Sequence, residues 1–369
     1  MDTFWCKNCL NMSTRPRITF DKRGWCNACQ WMEEKKLLDW SSRTDELKNI
    51  FKKHKSDGSG FDCMVPVSGG KDGSYVSYQV KHEYKLKPLT ATVKPPLSLE
   101  LGDINLKNFL NSGYDHIHIS PGSEAMRLLN KTGFIDMGFP YYGWLTAIMT
   151  AVIRMSINMN ISLIIYGESG EVEYGGSSET KNTAIYNIEY MKRVYLSGGH
   201  QKVLKNSGLS ESELYFFMFP SEKELKGKNI NFVHWSYFEN WDSYRNYLVA
   251  KEHCGLEEAE VNNSGTFTNF SQNDQALYAL HAYMMYLKLG FGRATQDAGI
   301  EIRRGAMTRD QALNLVNLYD GLYPEEYIQT YLDYYQMTLS EFDDVIDRWA
   351  NKNLFDKNNG RWVPKFSIK

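Results

Sequence analysis

The sequence contains no apolar run long enough to cross a membrane. Its most apolar stretch, from Trp144 to Ile165, is interrupted by Arg154, Asn158 and Asn160, whereas a spanning helix needs about 20 predominantly apolar residues. We therefore predict a buried helix followed by a buried strand in this stretch, and no membrane span.

A segment that would direct export is also missing. The opening residues, MDTFWCKNC, contain neither the basic segment nor the apolar core of a signal peptide. Charge of one sign is lacking as well, because 42 Lys and Arg face 44 Asp and Glu, which gives a formal charge of −2. A surface built mainly to hold nucleic acid is normally strongly basic. These absences predict a cytoplasmic globular protein with no nucleic-acid partner.

Cysteine is scarce after residue 29, but four cysteines lie before it. They form the pairs Cys6-x2-Cys9 and Cys26-x2-Cys29, which sixteen residues separate. Two such pairs are typical of knuckles that present four thiolates to zinc. Two disulfides are the alternative, although disulfides are rare in a reducing compartment. We predict a structural Zn²⁺ site in a zinc ribbon over residues 1–32, with the segment RPRITFD as a short strand.

The rest of the chain divides by its hydrophobic pattern. Residues 33–60 carry apolar residues at helical spacing among many charges, which predicts a helical linker. Residues 61–200 alternate between strand and helix patterns, with strands in FDCMVPV, PLTATVK, DHIHIS and ISLIIYG. This alternation predicts an α/β, Rossmann-like parallel sheet covered by helices. Residues 201–369 are mostly helical in pattern and include a capping box at Thr308, so we expect a helical substrate or partner region there.

The segment VPVSGGKDGSY, residues 65–75, marks the change from a strand pattern to a helix pattern. A glycine-rich turn at this point places several backbone N–H groups at the positive end of a helix dipole, which suits phosphate. The segment is neither a Walker A loop nor a G-x-G-x-x-G turn. It resembles the PP-loop of ATP pyrophosphatases, with Gly73 as an additional residue before the serine. An ordinary glycine-rich turn is the alternative.

The PP-loop resemblance implies that the loop grips the β- and γ-phosphates of ATP while a substrate attacks the α-phosphorus. It implies that Lys71 neutralises charge on the departing pyrophosphate and that Asp72 helps to place Mg²⁺, so both are expected to be catalytic. The end of the second predicted strand is expected to hold adenine. The residues expected to bind ATP are Ser68, Gly69, Gly70, Lys71, Asp72, Gly73, Ser74, Thr92 and Gly167.

An acidic loop, GESGEVEYGG, follows the strand ISLIIYG. Ligands of open α/β sheets gather at the carboxyl ends of the strands, where both this loop and the PP-loop begin. Three carboxylates within six residues suit Mg²⁺ bound to a triphosphate. We predict Glu168 and Glu171 as Mg²⁺ ligands together with Asp72, ahead of Glu173. A solvated acidic turn is the alternative.

Taken together, four segments resemble the N-acetyl sugar amidotransferases of bacterial surface-polysaccharide biosynthesis, over nearly the whole chain. They are WCNAC, SGGKDGS, YGESGEVEYGG and FGRATQDAGIEIRRGAMTRDQA. The resemblance implies that ATP adenylates the acetamido oxygen of a nucleotide-linked sugar and that ammonia then displaces AMP to give an acetamidino sugar. The products serve O-antigen, capsule or flagellar glycan biosynthesis.

Ammonia must be delivered, because at neutral pH it is scarce and mostly protonated. The sequence contains no cysteine arrangement that we recognise as a glutaminase. The resemblance therefore implies two separate partners, a histidine-biosynthesis-like glutaminase and its synthase-like companion.

Three arginines in the last of those segments are candidates for binding the sugar nucleotide. Arg293, Arg303 and Arg304 can each hold a phosphate or carboxylate with two hydrogen bonds. We expect Arg293 to act in catalysis as well. The alternative is that these side chains pair with Asp297 or Glu301 on the surface of a helix.

Two other functions remain open on the sequence. A tRNA-thiolating enzyme can also join paired zinc cysteines to a PP-loop, but it usually needs further cysteines, and Cys63 and Cys254 read as buried or incidental thiols. A scaffold that senses ATP without turning it over is the non-enzymatic alternative, which the intact Lys71, Asp72 and acidic loop disfavour.

Overall fold

The structure is a computed structural model that describes residues 3–58, 60–196 and 199–368. The predicted segments also include residues 1, 2, 59, 197, 198 and 369, which lie outside the described residues. The strands are β1 (Cys63–Pro66), β2 (Pro88–Val93), β3 (His116–Ile119), β4 (Leu163–Tyr166), β5 (Asn231–His234), β6 (Phe355–Asn358) and β7 (Arg361–Pro364).

Helices make up most of the remaining described structure. They are α1 (Asn27–Lys35), α2 (Trp40–His54), α3 (Lys71–Tyr78), α4 (Glu100–Asn111), α5 (Ser123–Met137), α6 (Tyr142–Asn158), α7 (Gly170–Tyr174), α8 (Ile188–Tyr195), α9 (His200–Asn206), α10 (Glu222–Leu225), α11 (Ser243–Cys254), α12 (Leu277–Leu289), α13 (Arg293–Arg303), α14 (Arg309–Tyr319), α15 (Ile328–Tyr335) and α16 (Leu339–Trp349). A π-helical turn continues α3 over Gln79–Glu83, and 3₁₀ turns occupy Tyr215–Phe217, Trp235–Tyr237 and Glu325–Tyr327.

Strands β1 to β5 form a parallel sheet in the order β3-β2-β1-β4-β5. The chain moves outward from β1 to β2 and β3, and then returns to place β4 on the other side of β1. The strand order therefore reverses between β1 and β4, which is where ligands bind in open α/β sheets. The predicted α/β, Rossmann-like sheet with a helical C-terminal region is confirmed.

Both faces of the sheet are covered, as an all-parallel sheet requires. Successive residues of a strand point to opposite faces, and β1 follows this rule: Met64 joins the apolar core that contains α6, whereas Cys63 and Val65 join the core that contains α3. Helix α6 is buried along most of its length, as the sequence predicted for Trp144 onward. Within the described residues, no helix combines the length and the apolar character that membrane crossing requires.

The sheet extends farther along the chain than its sequence pattern indicates. Strand β5 pairs with β4 from Leu163↔Asn231 to Tyr166↔His234, so the predicted boundary at residue 200 cuts through the sheet. The ribbon differs as well, because the segment RPRITFD forms no strand and is held by an isolated bridge between Phe20 and Cys26. Helix α1 begins inside the second cysteine pair and crosses the predicted ribbon boundary at residue 32.

The C-terminal helices share the main apolar core with α5 and α6. Phe134 of α5 stacks on Tyr335 of α15, with ring centroids 5.2 Å apart, and contacts Phe342 of α16. The capping box predicted at Thr308 is present, since Thr308 accepts from the backbone N–H of Gln311 and its own N–H donates to the Gln311 side chain. The helical region is therefore built onto the sheet domain rather than tethered to it.

A candidate nucleotide cleft and a cysteine cluster

The loop between β1 and α3 is pressed against another helix. Gly69 has φ +81°, and a Cβ there would lie 2.4 Å from the backbone nitrogen of Leu106 in α4. Only glycine adopts this conformation readily and permits this approach. The loop therefore runs directly over α4 before Lys71 begins α3.

A cleft of about 310 Å³ opens above this loop. The loop contributes one wall of it, and the segment before α12 contributes the facing wall. Glu168 after β4 and Arg293 at the start of α13 also line it. The predicted residues that line the cleft are Ser68, Gly70, Lys71, Asp72, Gly73, Glu168 and Arg293.

Lys71 and Asp72 form an ion pair at the start of α3. The other oxygen of Asp72, Oδ1, accepts a hydrogen bond of 3.2 Å from Asn246 in α11. Both side chains are therefore held at the N-terminus of a helix, where backbone N–H groups and the helix dipole favour an anion.

Glu168 is the buried carboxylate of the cleft. Its Oε1 accepts a 2.6 Å hydrogen bond from the Tyr174 hydroxyl, and its buried Oε2 has no hydrogen-bond partner among residues 3–58, 60–196 and 199–368. Burial raises the pKa of Glu168, the nearby charge of Asp72 raises it further, and Lys71 opposes the shift. A buried oxygen without a partner beside a second carboxylate fits a hard cation such as Mg²⁺.

Glu171 does not join Glu168 in the cleft. Its carboxylate forms two hydrogen bonds with Arg17, of 2.9 and 2.6 Å, and accepts another from the backbone of Ser177. Glu173 pairs with Lys35 at 2.6 Å and accepts from the Trp31 indole. The structure thus brings one of the two predicted glutamate ligands to Asp72 and directs the other toward the ribbon.

The three predicted substrate arginines occupy different places. Arg293 lines the cleft and pairs with Asp297 at 2.8 Å. Arg303 is partly buried and donates to the Glu173 carbonyl at 3.0 Å, and Arg304 pairs with Glu301 at 2.6 Å. The pairing alternative therefore holds for Arg304 with Glu301 and also for Arg293 with Asp297. Of the three arginines, Arg293 lines the cleft and the other two do not.

Three other residues that were predicted to bind ATP do not line the cleft but pack beside the loop. Thr92 at the end of β2 donates to the Val67 carbonyl at 2.6 Å and is buried. Ser74 is a fully buried residue of α3, and its hydroxyl has no hydrogen-bond partner in the part of the chain that the structure describes. At Gly167 a Cβ would lie 3.3 Å from Cβ of Asp72, so glycine at this position keeps space beside Asp72.

Sequence reasoning missed the facing wall of the cleft. It consists of residues 270–274 and Tyr278, and a Cβ at Gly102 of α4 would lie 2.4 Å from Cα of Asp274. Burial raises the pKa of Asp274 to about 6. The only signal for this wall is the polar run SQND ahead of an apolar helix.

The four N-terminal cysteines form a compact, fully buried cluster. The measured Sγ–Sγ separations are 3.8 Å for Cys6–Cys29, 3.5 Å for Cys9–Cys26 and 3.7 Å for Cys26–Cys29. A tetrahedral zinc ion with Zn–S bonds of 2.3 Å has S–S edges of about 3.8 Å. The four sulfurs therefore fit a single tetrahedral ion.

Polar groups surround the cluster as they would surround thiolates. The amides of Asn8 and Asn11 donate to Cys29 Sγ at 3.3 Å and to Cys26 Sγ at 3.4 Å. Burial lowers the pKa of the Arg303 guanidinium, but the charges of the neighbouring cysteines outweigh this effect and the net shift is upward. Arg303 therefore supplies positive charge next to the predicted metal ligands.

The C-terminal region of the chain matches a known protein family. Residues 264–367 match the family model described as "LPS biosynthesis protein WbpG-like, C-terminal domain". No curated protein matches this chain. Among solved structures, the chain is similar to the U34-tRNA thiolase NcsA from Methanococcus maripaludis with its [4Fe-4S] cluster, at 14% identity and a TM-score of 0.33, over 83% of this chain and 88% of that chain. A likeness at that TM-score carries no argument about this chain.

The matched region supplies one side of the cleft. Asp274, Tyr278 and Arg293 all lie within residues 264–367 and line the cavity together with the PP-loop-like turn. Residues 264–367 are therefore similar to the WbpG-like C-terminal domain of LPS biosynthesis proteins, in agreement with the resemblance drawn from the sequence.

Proposed function

We propose that this chain is an ATP-dependent amidotransferase that converts the acetamido group of a nucleotide-linked sugar into an acetamidino group for surface-polysaccharide biosynthesis. The observation that carries the proposal is the composition of a single cleft. Its first wall is a strand–glycine loop–helix turn suited to phosphate, and its second wall comes from the WbpG-like domain. The phosphate-binding turn and the WbpG-like domain therefore meet at one proposed reaction centre.

The first wall supports cleavage of ATP between its α- and β-phosphates. The backbone N–H groups around Gly69 and Gly70, at the start of α3, hold the β- and γ-phosphates, and Lys71 neutralises charge as pyrophosphate departs. Asp72 and Glu168 would hold Mg²⁺, which supplies further positive charge to the phosphates. The α-phosphorus is then left as the electrophile.

The proposed reaction has two balanced steps. The acetamido oxygen forms a bond to the α-phosphorus, and the bond to pyrophosphate breaks. Ammonia next adds to the amide carbon and loses a proton, and the C–O bond breaks so that AMP leaves with the former amide oxygen. The sum is acetamido sugar, ATP and ammonia giving acetamidino sugar, AMP and pyrophosphate. Arg293 is placed to stabilise anionic charge in the cleft.

Two further parts of the proposal concern the metal and the partners. The cysteine cluster would hold Zn²⁺ in a structural role, because four thiolates leave no open coordination position. A four-iron cluster would hold its thiolates farther apart, on the corners of an iron–sulfide cube, than the 3.5 to 3.8 Å seen between these sulfurs. Ammonia would come from a separate histidine-biosynthesis-like glutaminase with its synthase-like companion.

The test is a reaction with ATP, Mg²⁺, ammonium and a UDP-linked diacetamido sugar. We expect AMP and pyrophosphate in equal amounts and a sugar product lighter by about one mass unit, because NH replaces O. Formation of ADP and orthophosphate would contradict the proposal. Co-purification with a glutaminase tests the ammonia route separately.

Thiolation of tRNA is the principal alternative function. It would need a thiol that can reach the adenylated base, and the two cysteines outside the cluster are poorly placed for this. Cys63 is buried in β1, and Cys254 is buried at the end of α11 with its Sγ 3.9 Å from the Ser74 carbonyl oxygen. Thiolated tRNA in the same assay would favour the alternative, and an absence of turnover would favour an ATP-sensing scaffold.

A further inference from the structure

A second cavity, of about 350 Å³, adjoins the nucleotide cleft. It is lined by α1, by the segment 240–243 and by the C-terminal half of α13. Glu168 lines both cavities, so the two spaces meet at the buried carboxylate. Trp241 lines the second cavity, and its ring end lies 3.2 Å from where a Cβ of Gly167 would be. Glu168 and Trp241 therefore form the partition between the two cavities.

The second cavity has an unusually aromatic lining. Three indoles line it: Trp31, Trp40 and Trp241. The first two have their N–H groups satisfied, by Glu173 and by the Lys35 carbonyl. Trp241 is only 9% exposed, and its buried indole N–H has no hydrogen-bond partner among the described residues. A buried N–H donor without a partner is costly, so an acceptor that reached this indole would stabilise it.

The charges around the second cavity favour an anion. Four cationic side chains line it, against the three carboxylates Glu168, Glu173 and Asp242. Lys35 is neutralised by Glu173, and Arg304 pairs with Glu301 at 2.6 Å and lies 4.0 Å from Asp242, so a diphosphate would have to share Arg304 with these carboxylates. Lys36 is exposed and makes no ion pair with any residue that the structure describes. The four cations are Lys35, Lys36, Arg303 and Arg304.

We infer that the second cavity binds the acceptor substrate as a nucleoside-diphosphate sugar. The base stacks on an indole, because base–aromatic stacking contributes about 1–3 kcal/mol, and the saturated sugar ring packs its C–H groups on a second indole. The diphosphate contacts Lys36 and Arg304, and the acceptor's amide reaches the partition at Glu168. The inference rests on the proposed function and gives Arg303 and Arg304 a place outside the nucleotide cleft.

Binding of UDP-N-acetylglucosamine to the full chain, measured by calorimetry, tests this inference. We expect binding that persists when α,β-methylene ATP saturates the cleft, because the two ligands occupy different cavities. Lys36→Ala should weaken binding about tenfold, as expected for loss of a hydrogen bond to a charged group. The exposed Lys53 on α2 lies outside both cavities, and Lys53→Ala is the matched control that should bind normally.

A second pair of variants examines stacking apart from charge. Trp40→Leu should weaken binding of the same probe about tenfold, whereas Trp40→Phe, which keeps an aromatic face, should remain within about threefold of the wild type. Circular dichroism establishes that each variant is folded before binding is measured.

Three results would overturn the inference. These are competition between the probe and the ATP analogue, equal binding by the Lys36→Ala and Lys53→Ala variants, and no binding of the probe to the wild-type chain. Failure of the proposed function would look different, because it would appear as ADP formation by the wild-type enzyme while the binding results stood unchanged.

Discussion

The two loops that leave the neighbouring strands β1 and β4 are similar in composition but different in their surroundings. Both are rich in glycine, but the loop after β1 carries one carboxylate and the loop after β4 carries three. The loop after β1 places Lys71 and Asp72 in the cleft. The loop after β4 contributes Glu168 to the cleft, whereas Glu171 and Glu173 turn away and pair with Arg17 and Lys35.

The difference between these loops shows that a carboxylate's role depends on the cation that reaches it. Glu168 lies among buried groups and keeps one oxygen free. Glu171, three residues later, is neutralised by an arginine 154 residues away in sequence. Glu171 and Glu173 in the second half of the acidic loop thus bind cationic side chains of the N-terminal region, whereas Glu168 in its first half lines the cleft.

The largest expected effect on these two loops comes from removing the proposed metal site. Cys26→Ser should abolish metal binding and soluble yield, because structural zinc contributes about 10 kcal/mol or more to small metal-dependent domains. Metal content by mass spectrometry and yield by gel filtration measure the effect. Cys254→Ser, which alters a buried thiol outside the cluster, should keep its metal. A folded, metal-free Cys26→Ser protein would show that the acidic loop does not depend on the cluster.

Asp72→Ala tests the loop after β1. It should reduce formation of AMP and pyrophosphate about 10³-fold, since it removes a proposed Mg²⁺ ligand and the partner of Lys71. The circular dichroism spectrum should be unchanged. Asp45→Ala, on the exposed face of α2, serves as the control and should retain full activity. Unaltered turnover by the Asp72 variant would remove this residue from the site.

The two halves of the acidic loop are separated by a pair of variants. Glu168→Gln should lower kcat/KM for ATP about 10²-fold. Glu171→Gln should leave kcat/KM within about threefold and lower the free energy of unfolding by about 1 kcal/mol, as expected for a largely exposed arginine partner. Kinetics and denaturant unfolding measure both quantities. The reverse ranking of activities would mean that the acidic loop rearranges when nucleotide binds.

Asp274 provides a test of the wall of the cleft that faces the two loops. Its pKa is raised by burial from 3.8 to about 6, so the fold favours the protonated form. The stability it contributes is complete below about pH 4 and is lost as the pH rises through 6. Asn resembles the protonated form at every pH. Relative to wild type, Asp274→Asn should therefore gain about 2 kcal/mol between pH 4 and pH 7.

Unfolding midpoints in urea across that pH range would measure the gain. Asp45→Asn, at an exposed position, should show a difference from wild type that changes little with pH. If the Asp274 variant behaved in the same way, its carboxylate would be solvated rather than buried in the cleft wall.

Local sequence patterns predicted much of this fold and part of its site. Four strands of the sheet, the turn at Lys71 and the cysteine cluster each depend on residues close together in the chain. Strand β5 was missed because it has only four residues, NFVH, beside an aromatic run that has no strand alternation. Strand β5 is formed by backbone pairing with β4, and its own sequence pattern does not indicate this pairing.

The part of the site that could not be predicted depends on contacts between distant segments. No spacing rule links Arg17 to Glu171 or Lys35 to Glu173, and these pairs decide which glutamates remain in the cleft. Asp274 reaches the cleft because its loop packs on Gly102. The sequence pattern places Arg303 on the surface of a helix, whereas in the structure the cysteine cluster lies beside it.

Helix α13 connects the two chemistries of the molecule. Arg293 at its first turn lines the proposed nucleotide cleft, a Cβ at Gly299 would lie 3.3 Å from the Cys9 carbonyl oxygen, and Arg303 at its last turn lies beside the cysteine cluster. Eleven helical residues form a rigid rod of about 15 Å. A loss of metal at one end would therefore tilt the guanidinium at the other, so an ion that takes no part in the reaction would still set the alignment of the reacting groups.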